Sequence, residues 1–218
     1  MLVRPEFEPT LPALMRRRLG LRERTTVVLL VLAFLALVAA AVLVWPRVDR
    51  IGEVVHRGDP AFTMEYRNDL FEATEPRPGE LARIEGRRGR QAVEIAVQPL
   101  ELPAYEGDVA HAQLPLYASG HIRDLAASED RFQLRAEHRA RVNDAPGYEV
   151  RFRTGPPGRR TFASDLMLVP GEEDSEGALL VTLRREVDGP AKLSESEEEF
   201  ADLAFQAMRS ISYGTGLG

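Results

Sequence analysis

No cysteine occurs anywhere in the chain. Disulfides, thiolate nucleophiles, zinc–thiolate centres and a lipidated cysteine anchor are therefore excluded by arithmetic, and the redox compartment cannot be read. Lysine is almost as scarce, Lys192 being the sole example, so the 28 basic residues are nearly all arginine. With abundant alanine, this is the usage of a GC-rich bacterial genome, and arginine number alone says little about function. Aromatic residues make up 7% and histidines number four. His56, His111, His121 and His138 are scattered, with neither an H-E-x-x-H motif nor an i, i+4 pair, so no metal site is expected. There is no G-x-S-x-G, no S-x-x-K and no phosphate-cradling loop with its lysine-hydroxyl pair, so neither catalytic nor cofactor-binding residues are assigned.

A charged fraction of 28% and a net charge of -6 over 218 residues describe one folded, mildly acidic domain with appendages. The acidic balance argues against nucleic acid as a partner.

The longest uncharged stretch contains Thr26 to Trp45, TVVLLVLAFLALVAAAVLVW, and reads on into Pro46. About 20 helical residues cover the roughly 30 Å hydrocarbon layer, so this run is expected to be one transmembrane helix. Trp45, Pro46 and Arg47 close it with an interfacial aromatic and a helix stop. Arg16, Arg17, Arg18, Arg22 and Arg24 load the N-terminal flank, whereas the far flank mixes both signs, which places the N-terminus in the cytoplasm and the C-terminal domain outside. Ala39 and Ala41 offer a competing reading, a signal peptide cleaved after Ala41. The expected organisation is a basic cytoplasmic tail over 1–25, the span over 26–45, a linker over 46–60, an extracytoplasmic domain over 61–214 and a short tail over 215–218.

Within the outer domain, Phe62, Met64 and Tyr66 alternate with polar neighbours, the period of a half-buried strand. Leu81–Glu85 and Val93, Ile95 and Val97 repeat the pattern about a turn expected at Gly86-Arg87-Arg88-Gly89. Pro99 and Pro103 end that hairpin, and a helix is expected over Leu114–Ser128 with Pro115 in its first turn and Tyr117, His121, Ile122 and Leu125 as its stripe. Four strands follow over 132–142, 147–153, 161–169 and 178–187, with turn-rich connectors that imply antiparallel neighbours. A final helix starts at Ser194, with Glu197 completing a capping box. It carries Phe200, Leu203, Ala204, Ala207 and Ile211 on one face and is expected to stop at Gly214.

The strand Phe62-Thr63-Met64-Glu65-Tyr66, the turn into a strand Asp144-Ala145-Pro146-Gly147-Tyr148-Glu149-Val150 and the closing helix Phe200–Ser212 resemble the PsbP-like superfamily, including its LpqN and DcrB types. The resemblance covers about Phe62 to Tyr213. It implies an α+β fold, a mainly antiparallel sheet flanked by helices as an α/β/α sandwich. It also implies a non-catalytic extracytoplasmic accessory or binding module of a bacterial cell envelope. Partners would be the membrane and another envelope protein or an apolar or polymeric ligand. An envelope hydrolase using dispersed carboxylates and a membrane sensor subunit are the competing readings. Arg83, Arg87, Arg88 and Arg90 crowd one hairpin and are the expected contact for an anion or acidic partner. Arg57-Gly58-Asp59 spells an adhesion tripeptide and is read as chance.

Overall fold

A computed structural model describes residues 28–39, 50–171, 177–189 and 193–214. The chain divides into two units, residues 1–49 and 50–218. In the first, residues 28–39 are helical, and Val28, Leu32, Phe34, Leu35 and Leu37 each leave more than half of their surface open. Among the described residues no helix is long and apolar enough to cross a membrane. The ends of the Thr26–Trp45 run, the tail over 1–25, Ala41 of the cleavage reading and the acidic residues 172–176 lie outside the described residues.

Among the described residues the second unit has ten strands, each paired antiparallel to its neighbours. Three of them, β1 (Ile51–His56), β2 (Phe62–Arg67) and β10 (Ser212–Tyr213), form a small sheet in the order β1-β2-β10. The other seven are β3 (Phe71–Thr74), β4 (Ala82–Arg88), β5 (Gln91–Leu100), β6 (Gln133–Val142), β7 (Ala145–Thr154), β8 (Arg159–Leu168) and β9 (Ala178–Asp188). They lie in the order β3-β4-β5-β9-β8-β7-β6. Every neighbour in that sheet is a hairpin partner except β5 and β9. The chain leaves after β5, makes helix α1 (Leu114–Ser128), and returns through the β6–β9 meander to close the sheet. Helix α2 (Glu195–Arg209) follows.

The two helices serve opposite faces of the sheet, because strand side chains alternate. Leu166 and Leu168 of β8, with Val181 and Leu183 of β9, join Phe200, Ala204, Ala207 and Met208 of α2 in one core. Ala163 and Met167 of β8, with Val150 and Phe152 of β7, join Leu114, Ala118 and Leu125 of α1 in the other. Phe71 stacks on Phe200 with ring centroids 4.9 Å apart. Burying side chains of this size contributes about 1.5–3 kcal/mol each, so the α2 stripe is the main fastening of that helix.

Several details depart from the sequence expectations. The stretch expected as a linker contains β1, whose Val54 faces Met64 across the hairpin, so pairing with β2 organises residues whose own pattern is weak. The β4–β5 turn sits at Gly89 and Arg90, overlapping only the last residue of the expected Gly86–Gly89 turn, with Gly89 at φ 57°. Gly86 stays within the strand opposite Phe71 of β3, where a Cβ would stand 2.5 Å from that ring. Pro99 is inside β5, paired with Leu179, and Pro146 is inside β7. Helix α2 stops at Arg209, and the residues before Gly214 form β10 beside β2. Leu114 and Ala118, outside the expected stripe, are the deepest residues of α1, while Tyr117 and Ile122 are only partly buried.

Candidate ligand groove and surrounding charged clusters

At Leu100 the chain leaves the sheet and crosses its end before entering helix. A turn of π-helix over Val109–Gln113 precedes α1. Asp108 caps it, Oδ1 accepting from the His111 backbone N–H at 2.8 Å and Oδ2 lying 2.8 Å from His111 Nδ1. The buried Gln113 amide donates to the Pro103 carbonyl, tying the loop to the start of the helix. Between this arch and the strand ends lies an open groove of about 590 Å³. Its apolar lining comes from Leu100, Leu102, Val109, Ala110, Pro146, Val169 and Ala178. Ligand sites commonly measure about 300–1,000 Å³, mostly apolar with a few polar groups that fix orientation. Tyr105, Gln113 and Arg141 are those groups here.

Arg141 comes from β6, one of the two outer strands of the large sheet. Arg139, two residues earlier, shares its face and donates from Nη2 to the His111 carbonyl at 3.3 Å. The groove rim is thus cationic on the β6 side.

Two carboxylates are wholly buried beneath the helices. On the α1 face, Asp165 is hydrogen-bonded to His121 Nε2 at 2.7 Å and held by both Nη atoms of Arg184, whose guanidinium also sits 4.9 Å from the Phe152 ring centroid. On the α2 face, Glu149 accepts from Arg151 Nε at 2.7 Å, Ser164 Oγ at 2.6 Å and Arg209 Nη2 at 2.7 Å, with His138 Nε2 3.2 Å away. Arg151 and Arg209 both lie over the ring of Phe205. Burial alone would push both carboxyls up. For Asp165 the bond from His121 and the charge of Arg184 outweigh it, and for Glu149 the bonds from Arg151, Ser164 and Arg209 do, so both titrate below the usual carboxylate range. Carboxylates held ionised in this way do not donate protons near neutrality, and both serve as anchors for helices.

The four arginines of the hairpin are not brought together. Arg83 is 3% exposed and enclosed by Glu80 and Glu85 at 2.7 Å and by Glu94. Arg90 reaches Glu197 at 3.3 Å and the Asp188 carbonyl at 2.9 Å. Arg87 is exposed and Arg88 half-buried at the end of β4, on opposite faces of the strand.

A second concavity of about 400 Å³ opens over β3, β4, β5 and β9, lined by Glu72, Glu85, Glu94 and Glu186 with Arg87 and Arg184. Its carboxylates are largely engaged, Glu85 and Glu94 by Arg83 and Glu186 by Arg159. Among the described residues no group of three His, Asp or Glu is placed to hold a metal ion. His56 stacks on Phe62 at 5.3 Å, so each histidine has an aromatic or carboxylate neighbour.

Sequence reasoning missed the groove and the pair Arg139 and Arg141. Leu100 and Leu102, apolar residues continuing past the strand between Pro99 and Pro103, were the available signal.

No protein-family model matches this chain, and no curated protein does. Among solved structures it is similar to cyanobacterial PsbP (CyanoP) from Synechocystis sp. PCC 6803, at 12% identity over 76% of this chain and 93% of that one, with a TM-score of 0.46. It is also similar to LpqN, involved in cell envelope biogenesis of Mycobacterium tuberculosis, at 14% identity over 77% of this chain and 93% of that one, with a TM-score of 0.47. A third similarity is to TplEi, an immunity protein of the T6SS from Pseudomonas aeruginosa, at 12% identity, covering 75% and 68%, with a TM-score of 0.36. At these levels the likeness to the PsbP-like superfamily remains a resemblance, and the fold rests on the strand order and register described above.

Proposed function

We propose that this protein is a single-pass, membrane-anchored binding module of a bacterial cell envelope, whose extracytoplasmic domain holds an apolar ligand and catalyses no reaction. The observation that carries the reading is the groove of about 590 Å³ between the 101–113 arch and the strand ends, with its apolar walls and few polar groups. The anchor is supported by the Thr26–Trp45 run and its arginine-rich N-terminal flank. It is also supported by the exposed apolar side chains of residues 28–39. Tethering raises the local concentration of a binding surface at the membrane, where apolar ligands reside. Arg87 and Arg88, which form no ion pair among the described residues, are left to meet anionic headgroups or an acidic partner.

The test uses the full chain in lipid nanodiscs with a dodecanoic acid bearing a photoreactive diazirine. Crosslinks on peptides spanning 100–113 and 169–171 are expected, reduced by Ala110→Trp, which fills the groove. Crosslinks confined to 26–45 would refute ligand capture by the outer domain.

A further inference from the structure

Strand β6 runs for ten residues at one edge of the large sheet, with β7 on one side and, among the described residues, no strand on the other. An edge of this length presents unpaired backbone donors and acceptors, a template for one more strand. The other outer strand of that sheet, β3, has only four residues. The bulge in β6 lies between Leu134 and Ala136, leaving a regular register from Ala136 to Val142 against β7.

The side chains along this edge are charged in one sense. Arg135, Arg139 and Arg141 are exposed, against Glu137 as the one acid of the strand. None of the three arginines forms an ion pair among the described residues, although exposed arginines elsewhere do, as Arg67 with Asp69 and Arg159 with Glu186. Register separates the two faces. Glu137, Arg139 and Arg141 share the α1 side with Tyr148, whereas Ala136, Ala140 and Val142 lie on the α2 side.

We propose that β6 accepts an extended acidic segment of a partner protein as an eighth strand of this sheet. The added strand carries carboxylates at alternate positions, directly opposite Arg139 and Arg141. A small apolar residue lies between them, against Ala140, and a second faces Ala136 beyond His138, whose ring turns to Glu149. Cross-strand neighbours stand about 4.5–5.5 Å apart at Cβ, close enough for each carboxylate to pair with its guanidinium. A second copy of the chain is disfavoured as the occupant, because it would bring three more arginines to the same edge. This surface adjoins the apolar groove, which Arg141 also lines, so the diazirine crosslink is measured in the same variants and reports ligand capture independently of peptide binding.

The bland role of edge arginines is to keep strands apart, and the experiment separates the two. A fluorescein-labelled decapeptide of alternating glutamate and valine is titrated with the full chain in nanodiscs, read by anisotropy. A same-sequence peptide N-methylated at every residue retains charge but cannot donate backbone hydrogen bonds. Saturable binding of the first peptide is expected, weakened about tenfold or more by N-methylation. R139E/R141E should weaken it about tenfold as well and favour a lysine-valine peptide instead. Absence of saturable binding, equal binding of the N-methylated peptide, or indifference to charge reversal would each overturn the proposal. So would dimerisation of the chain that the same reversal abolishes, since it assigns the edge to a second copy.

Discussion

Glu149 and Asp165 sit one register step apart on adjacent strands, Glu149 opposite Leu166 and Asp165 opposite Val150, so their carboxylates project to opposite faces of the same sheet. Each is fully buried, and each is clasped by the helix on its own face, Glu149 by Arg209 of α2 and Asp165 by His121 of α1. The pair fastens both layers to one point of the sheet.

Glu149→Ala should lower stability by about 2 kcal/mol, because Arg151 and Arg209 lose their counter-charge, with partial solvent exposure of both guanidiniums reducing the full cost of a broken buried pair. Urea denaturation followed by circular dichroism tests this through a lower midpoint at unchanged slope. A fall of less than about 1 kcal/mol, the worth of an exposed pair, would contradict the anchoring role.

Acid stability should depend on Glu197. Its carboxylate accepts from the Ser194 backbone N–H at 2.9 Å and from Arg90, which holds its pKa down to about 2 from an ordinary 4.5. A depressed carboxyl stabilises the fold above its unfolded pKa and loses that contribution as pH falls through the folded value. Glu197→Ala is therefore expected to lower Tm at pH 7, with a deficit that shrinks between pH 4.5 and about 2. A deficit that stays constant across that window would show that the charge is irrelevant.

Arg83→Met should cost about 2–3 kcal/mol, reduced from the full cost of a broken buried pair by the partial exposure of Glu85 and Glu94. Arg83→Lys should recover only part of the loss, since an ammonium lacks the planar fork that spans three carboxylates. Full recovery by lysine in thermal unfolding would mean that charge alone matters there.

Two glycines should respond with opposite sign to alanine. At Gly147 a Cβ would stand 2.4 Å from the Met167 carbonyl oxygen, so Gly147→Ala is expected to destabilise by roughly 1–3 kcal/mol. At Gly120 in α1 nothing lies within 4 Å, and Gly120→Ala should stabilise by about 0.5–1 kcal/mol through helix propensity. Chemical denaturation of both variants measures the contrast.

Much of this architecture is legible without coordinates, because it follows from local periodicity. Alternation at Phe62, Met64 and Tyr66 marks β2, and the 114–128 helix and the Ser194–Glu197 start of α2 stand where spacing and capping put them. The apolar run from Thr26 to Trp45 is likewise a property of composition, since free energy of transfer sums along the chain. Tertiary structure decided what depends on partners distant in sequence. β1 and β10 exist because β2 offers them an edge, and their own residues are too few or too mixed to announce a strand. The four hairpin arginines read as one basic cluster, yet pleat and packing divide them, burying Arg83 among three glutamates and giving Arg90 to α2. Arg139 and Arg141 look no different in sequence, and only the strand order leaves them at the open edge beside an apolar groove. Charge is written residue by residue, but whether it is neutralised or presented is a matter of three-dimensional neighbours.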